Sequence, residues 1–319
     1  MNPRALITGS GGFIGSRLAI RCREAGHEVI ATAHRASPEL AQALGVSEVI
    51  PLDVLDPRVA DLPLDADIIF HCATANDIVS RDFKPGVDLS VNGTRNVLEL
   101  ALRRGIRRVV FFSTLQVYGT ELYGEITEGT PVRCESPYAL NHLLGEEVCR
   151  FYANKHGMDI VLMRPSNVIG VPDWSSVQRS TLVPMCFVKE VLASGALTLR
   201  SSGHQRRNFV TSDQVSDACL NLMGNFPAGV TVVNAGSCWH ASIGEMAALV
   251  ADVFFGMTGQ KLPVNFLTDE PLCGNEFQLY SRLLPSTQTP EACVAQAREI
   301  VSRLFVHFKP ITTNTYDRT

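Results

Sequence analysis

The sequence predicts an α/β protein, a Rossmann doubly wound parallel sheet with a smaller C-terminal substrate-binding lobe. Two observations predict it. Short apolar runs alternate with longer amphipathic stretches up to about residue 170, the pattern of right-handed βαβ units whose parallel sheet is covered on both faces. The first run breaks directly into Gly9-Ser10-Gly11-Gly12-Phe13-Ile14-Gly15, a glycine turn between a strand and a helix.

The elements follow in order. Arg4 to Thr8 reads as a strand, Ile14 to Ala25 as a helix ended by Gly26, and Glu28 to Ala33 as a second strand. Val49 to Leu52 gives a third strand and Ala66 to Cys72 a fourth. A helix is expected from Val91 to Arg104, then a fifth strand from Arg108 to Ser113. A polar loop runs on to Pro137, before a long helix from Tyr138 to His156 and a sixth strand from Ile160 to Arg164. Past Gly170 the regularity weakens. Leu182 to Ser194, Ser242 to Phe255 and Pro290 to Leu304 read as helices, Leu197 to Leu199 and Val230 to Asn234 as extended. The expected division is a dinucleotide-binding domain over 1–170 and a substrate lobe over 171–319, with some segments of the latter returning to the main sheet.

Composition narrows the function classes. The 319 residues are 45% hydrophobic and 19% charged, with a formal net charge of −4, the balance of a globular enzyme. No stretch concentrates Lys and Arg enough to track phosphates, so no nucleic-acid partner is expected. The densest runs, Arg103-Arg104 with Arg107-Arg108 and Arg206-Arg207, are short, and Arg103-Arg104 suits the negative pole of a helix end. No window approaches the roughly 20 apolar residues of a membrane span. The first apolar run is a strand rather than a signal peptide. Nine cysteines without CxxC spacing fit a reduced, cytoplasmic protein. No His, Cys, Asp or Glu cluster has metal-ligand spacing, so no metal is expected.

The glycine turn carries specific physics. Gly9, Gly12 and Gly15 permit the tight turn, the approach of backbone to a pyrophosphate, and close packing of helix on strand. The helix N-terminus, at Phe13 and Ile14, then offers unpaired N–H groups and a positive dipole end to the anion. The end of the second strand reports on the ribose. An acid there bonds a free 2′-hydroxyl, whereas a nearby Arg suits a 2′-phosphate. Here Ala33 holds the acid position, followed by His34 and Arg35. NADP(H) is therefore favoured, with NAD(H) open. Asp53, with Val54 beside it, is placed to meet the adenine.

With Ser113-Thr114 and Tyr138 added to the turn, the chain resembles the extended short-chain dehydrogenase/reductase family. Within that family it is most similar to the nucleotide-sugar epimerase/dehydratase group. The TGxxGFIG turn is complete from Thr8 to Gly15. Ile69-Phe70-His71-Cys72-Ala73-Thr74 is similar to an HxAA strand end, and Ser90-Val91-Asn92-Gly93-Thr94 to an NVxGT helix start. Phe112 to Gly119 looks like SSxxVYG, and Arg164 to Gly170 like RxxNVxG. Gly203 to Phe209 is similar to GxQxRDF, and Asn234 to Ser237 to NxGxG. The resemblance implies Tyr138 as acid/base, Thr114 as its hydroxyl partner and Ser113 as a second candidate for that role. It also implies Cys72, Ala73, Thr74 and Ser90 beside the cofactor, and Asn167 and Arg207 on a nucleotide-diphosphate sugar. A homodimer through the helices Val91 to Arg104 and Tyr138 to His156 is implied too. His71 reads as a packed structural residue, and His204 as loop.

Three departures matter. The family pattern YxxxK is Tyr138-Ala139-Leu140-Asn141-His142 here, so the lysine that lowers the phenol's pKa and holds the ribose is His142. Spacing keeps His142 on the face of Tyr138. Histidine, however, has an ordinary pKa of about 6.5 and is mostly neutral at neutral pH. Three readings stay open: His142 takes over the ribose contact at reduced rate, Tyr138 serves only as a positioned acid in reduction, or the protein is a catalytically degenerate NADP-binding regulator or scaffold. The Asp-Glu pair of the dehydratases is replaced by Leu115 and Gln116, which argues against a 4,6-dehydratase and leaves 4-epimerisation of the sugar or keto-sugar reduction. Finally, Asn208 stands where an Asp would follow Arg207, which removes an expected orienting carboxylate.

Overall fold

Successive side chains of each central strand point to opposite faces, and both faces are apolar. Ala5 and Ile7 pack on one side with Phe70, Val110 and Val161, while Leu6 packs on the other with Ile69, Val109 and Ile160. The sheet must therefore be covered twice, which is what the intervening helices do. The computed structural model describes residues 2–177, 179, 181–268, 275–282 and 288–309.

The chain runs β1 (Arg4–Thr8), α1 (Phe13–Glu24), β2 (Glu28–Ala33), α2 (Pro38–Leu44), β3 (Ile50–Pro51) and β4 (Ile68–His71). Next come α3 (Phe83–Val87), a π-helical segment (Asp88–Gly93) leading into α4 (Thr94–Arg103), β5 (Arg108–Phe112), β6 (Gly124–Ile126), α5 (Pro137–His156) and β7 (Asp159–Pro165). Then follow β8 (Asn167–Ile169), α6 (Met185–Ser194), β9 (Leu197–Leu199), β10 (Arg206–Thr211) and α7 (Ser212–Gly224). The last elements are β11 (Val230–Ala235), β12 (His240–Ser242), α8 (Ile243–Thr258), β13 (Val264–Phe266), β14 (Phe277–Leu279) and α9 (Pro290–Phe308).

Seven strands form one parallel sheet in the order β11-β7-β5-β4-β1-β2-β3. Strand order reverses between β1 and β4, and the crevice at their carboxyl ends is where open α/β sheets bind ligands. β11 pairs with β7 from Val230 to Ala235, so a late segment completes the main sheet. A second sheet, β12-β10-β8, and two strand pairs, β13-β9 and β14-β6, build the other lobe above the carboxyl edge.

The structure adds elements that periodicity did not pick out. α2 is capped by Ser37, whose side chain accepts from the Leu40 N–H, and ends on Gly45 in a left-handed conformation. α7 opens with a capping box between Thr211 and Gln214. The helix expected from Val91 starts as the π-helical segment and becomes regular at Thr94. The eight cysteines among the described residues are unpaired, and Cys273 lies outside them. Among the described residues no helix is long and apolar enough to cross a membrane.

Candidate active site

The glycine turn closes as its sequence requires. Gly9 sits at φ +69°, and Gly12 donates its N–H to the Gly9 carbonyl at 2.9 Å. A Cβ on Gly15 would lie 2.3 Å from the Gly9 oxygen, and one on Gly9 would lie 2.8 Å from the Ala73 nitrogen. Only glycine lets α1 and the loop after β4 approach this turn so closely. Gly12 caps α1 without any side-chain acceptor, so the first N–H groups, from Phe13 and Ile14 onward, are left for an anion. From the second lobe, Trp174 donates its indole N–H to the Gly11 carbonyl at 3.0 Å. Asp173 accepts from Ser16 and pairs with Arg17 at 2.7 Å.

The adenosine end is assembled from β2, β3 and α4. Ala33 is buried, while His34 and Arg35 are exposed. His34 lies 3.8 Å from Asp53, whose carboxylate accepts the Leu55 N–H at 3.0 Å. Val54 is buried against Gly93, and its carbonyl accepts from Asn96. Ser90 is buried in the π-helical segment. Cys72, Ala73 and Thr74 form the loop that leaves β4, with the Cys72 N–H bonded to the Thr8 carbonyl. The glycine cradle and the open helix end fit a dinucleotide's pyrophosphate.

His71 is structural. Its ring bonds the hydroxyls of Thr8 at 2.8 Å and Thr94 at 3.3 Å, tying β1, β4 and α4 together. Burial, with a smaller push from His142, drives its pKa down to about 3, so it stays neutral. His204 lies in the exposed turn before β10.

Neighbouring hydroxyls at the end of β5 part ways. Ser113 is buried and donates to Glu146 at 2.6 Å. Glu146 is also held by Arg164 through two bonds, at 2.8 and 2.6 Å. The Arg164 guanidinium lies 4.8 Å over the Tyr118 ring, and the Tyr118 hydroxyl donates to Asn234 at 2.9 Å. Ser113 thus belongs to a buried ionic cluster, which corrects its expected place beside Tyr138. Thr114 caps the short 3-10 turn Leu115–Tyr118, and its hydroxyl favours the Tyr138 phenolate.

Tyr138 follows Ser136, whose side chain accepts the Ala139 N–H and caps α5. The rings of Tyr138 and His142 meet edge to face with centroids 4.6 Å apart. Burial raises the phenol above its ordinary 10; the charge of Arg179 and the Thr114 hydroxyl oppose that rise, and Asp77 adds to it. Burial also drives His142 down to about 4, although Glu146 and the carbonyls of Phe112 and Ala75 favour its cation. His142 is therefore neutral at neutral pH. Its Nδ1 is buried with no hydrogen-bond partner, as suits a ring nitrogen that a ribose hydroxyl would satisfy.

An open cleft between the lobes is lined by Thr114, Gln116, Ser166, Asn167, Arg207 and Phe277, among others. Asn167 donates to the Asn208 carbonyl at 3.0 Å, across the β8–β10 pairing. Arg207 reaches only the carbonyls of Thr120 and its neighbour Arg206, both at 3.3 Å. Burial lowers its pKa, opposed by Glu121, and no carboxylate among the described residues pairs with it. A half-buried guanidinium without a counter-ion is a ready anion site. Asn208 plays no part in orienting it. Its side chain donates to the Ser237 carbonyl at 2.7 Å and accepts the Ser237 N–H. Ser166 was not singled out from the sequence. Its buried hydroxyl has no partner and its residue lines the cleft.

The sequence profile of the NAD dependent epimerase/dehydratase family matches residues 5–236. The UDP-glucose 4-epimerase of Mycolicibacterium smegmatis is 31% identical over 236 residues, covering 71% of this chain and 74% of that protein. The UDP-N-acetyl-alpha-D-glucosaminuronate decarboxylase of Bacillus cytotoxicus is 30% identical, covering 77% of this chain and 79% of that protein. Among solved structures, UDP-glucuronic acid 4-epimerase from Bacillus cereus, in complex with UDP-glucuronic acid and NAD, superposes with a TM-score of 0.77. It is 24% identical and covers 94% of this chain and 99% of that one.

Proposed function

The chain belongs to the NAD dependent epimerase/dehydratase family, and on that premise we propose that it epimerises or reduces a nucleotide-diphosphate sugar, at C4, with Tyr138 as acid/base. The observation that carries this reading is convergence. Thr114, whose hydroxyl favours the Tyr138 phenolate, also lines the cleft that holds Asn167 and the unpaired guanidinium of Arg207. The cleft thus offers the Thr114 hydroxyl for a sugar oxygen, with the Tyr138 phenol as its partner in this reading, and the Arg207 cation for a diphosphate. The relatives are named for UDP-sugars, so a uridine diphosphate sugar is the substrate class proposed.

A bound nicotinamide would take up and return a hydride at the sugar carbon. The protein's own groups handle the rest. Tyr138 moves the proton at the sugar hydroxyl, Thr114 fixes the same oxygen, and Asn167 and Arg207 hold the diphosphate end. Leu115 is buried and Gln116 carries no titratable proton, so neither can drive the elimination step of a dehydratase. Arg35 beside a missing ribose acid favours NADP(H), whereas the Bacillus cereus neighbour is described with NAD. The homodimer remains part of the proposal, through the faces of α4 and α5.

Proton NMR and mass spectrometry of a UDP-sugar panel, incubated with the protein and each dinucleotide, test the reading. Epimerisation leaves the mass unchanged and moves the C4 proton signal. Reduction adds two hydrogens, and decarboxylation removes carbon dioxide. Dinucleotide binding with no product across the panel would replace the enzyme by the alternative, a degenerate regulator or scaffold.

A further inference from the structure

Two sulfurs meet in the second lobe, outside the candidate active site. Cys238 lies in the turn between β11 and β12, and Cys293 lies at the start of α9, 55 residues further along the chain. Their Sγ atoms are 3.8 Å apart. A disulfide bond is about 2.05 Å long, so the two sulfurs have only about 1.8 Å to close. Cys238 is half-buried, whereas Cys293 is buried.

Both thiols point at one residue. The Cys238 thiol donates to the Gln288 carbonyl at 3.0 Å, and the Cys293 thiol donates to the Gln288 side-chain oxygen at 3.4 Å. That oxygen also accepts from Gln214, in the first turn of α7, at 2.7 Å. Gln288 thus holds the two sulfurs within reach of each other. Thiols are weak donors, so little is lost when these bonds are exchanged for a covalent one.

The two backbones are anchored separately. Ser237 donates its hydroxyl to the Phe209 carbonyl at 2.6 Å and accepts the Trp239 N–H at 2.9 Å. Asn208 brackets the same turn through the Ser237 N–H and carbonyl. α9 is capped by Thr289, whose side chain accepts the Ala292 N–H, and it packs into the apolar core through Ala297, Val301 and Leu304. Turn and helix are each fixed without the sulfurs, so the juxtaposition is a property of the fold. Cys22, Cys149 and Cys219 differ, because they are buried and burial pushes their thiols up, which makes them inert.

We propose that Cys238 and Cys293 are an oxidative modification site, a dithiol that a small-molecule disulfide closes reversibly into a bond pinning α9 to the β11–β12 turn. Cys238 is the attacking thiol because solvent reaches it. Cys293 resolves, since burial, with a smaller push from Cys238, raises its pKa. The Cys238 thiol gives up its proton and attacks one sulfur of the small disulfide; a mixed disulfide forms and one small thiolate leaves, taking that proton. Cys293 then gives up its proton and attacks Cys238 Sγ, which expels the second small thiol. Two protein thiols are oxidised and one small disulfide is reduced to two thiols. An excess of small thiol runs the exchange backwards, as a transient, sensing disulfide requires. The inference is independent of the sugar chemistry proposed above.

The test incubates the reduced full-length protein with glutathione disulfide and reads the intact mass, the non-reducing digest and the melting temperature. At these two sites the wild type is expected to lose two hydrogens, retain no glutathione and yield a peptide joining Cys238 to Cys293. Cys293→Ser should instead keep one glutathione on Cys238, because nothing resolves it. Cys238→Ser should stay unmodified at Cys293. The linked protein should melt roughly 3–10 °C higher than the reduced one, the shift of an ordinary disulfide in a chain of this size. Dithiothreitol should return it. Glutathione that stays on Cys238 of the wild type, or no reaction at either sulfur, overturns the proposal. So does a link that dithiothreitol cannot undo or that leaves the melting temperature unmoved. If a serine variant fails to fold, the wild-type digest decides by itself.

Discussion

Tyr138 and His142 stand one turn apart on α5 with their rings edge to face, 4.6 Å between centroids. Geometry that would place a lysine under the phenol is kept, and the charge is gone. Restoring it tests how the phenol is tuned. His142→Lys puts an ammonium beside Tyr138 in a site where the side chain is 3% exposed, so the variant should lose about 1–3 kcal/mol of stability from burying that charge. Its kcat–pH profile should shift toward acid by about one unit. A fall in kcat at every pH would instead assign to the imidazole a contact of its own, such as the ribose.

Ser113 and Thr114 give opposite expectations although they adjoin. Ser113→Ala removes a charge-assisted bond to buried Glu146 and should cost roughly 1–3 kcal/mol, with kcat within a few-fold of wild type. Thr114→Val should leave the melting temperature nearly unchanged and lower kcat by about 100-fold, the scale of one lost transition-state hydrogen bond. Denaturant titration paired with steady-state kinetics reads both. A kcat loss in Ser113→Ala as deep as that in Thr114→Val would return Ser113 to the catalytic oxygen.

The contrast shows where the sequence stops being legible. The glycine turn could be read because backbone closeness itself demands glycine, as the 2.3 Å approach at Gly15 shows. The central strands could be read because both faces of each are apolar. Two adjacent hydroxyls carry no such signal. Which one faces the cleft depends on Glu146 and Arg164, which pull Ser113 down into the sheet. Asn208 was opaque for a similar reason: its place after Arg207 showed only that a carboxylate was missing, and not that its side chain serves Ser237. α7 did announce itself in Thr211 and Gln214, a capping signature that a hydrophobic-period scan passes over.

Stability should fall in mild acid. Burial depresses His142 to about 4 and His71 to about 3 from an ordinary 6.5. The folded state thus refuses protons that the unfolded chain accepts. Their stabilisation is complete above pH 6.5 and declines as pH falls toward 4, by about 1.4 kcal/mol per pH unit for each histidine. Urea midpoints at successive pH values between 7 and 5 read the slope. His142→Gln should show about half of it, and a wild-type slope no steeper than the variant's would mean that the imidazole is not held neutral.

Cofactor choice is tested at Arg35, exposed and without an ion-pair partner among the described residues. Arg35→Ser should weaken NADP(H) binding by about tenfold or more, the loss of one charge-assisted contact of about 1.5–3 kcal/mol, and leave NAD(H) binding unchanged. Fluorescence titration with both reduced dinucleotides measures this. Equal losses for the two, or none for NADP(H), would assign the ribose to NAD and leave Arg35 as a solvated side chain.

The face of α5 opposite the active site carries the last prediction. Phe151 is 57% exposed and Leu140 37% exposed on that helix, and a large exposed aromatic beside a long helix is the material of a symmetric interface. If α4 and α5 pair with their copies, Phe151→Glu places like charges against each other across the two-fold axis and should convert dimer to monomer at micromolar concentration. Sedimentation velocity distinguishes the two masses. Phe151 lies on the helix face away from Tyr138, so dinucleotide affinity should survive the change. A wild-type protein that already sediments as a monomer would remove the dimer from the proposal and leave the site, which lies within one chain, untouched.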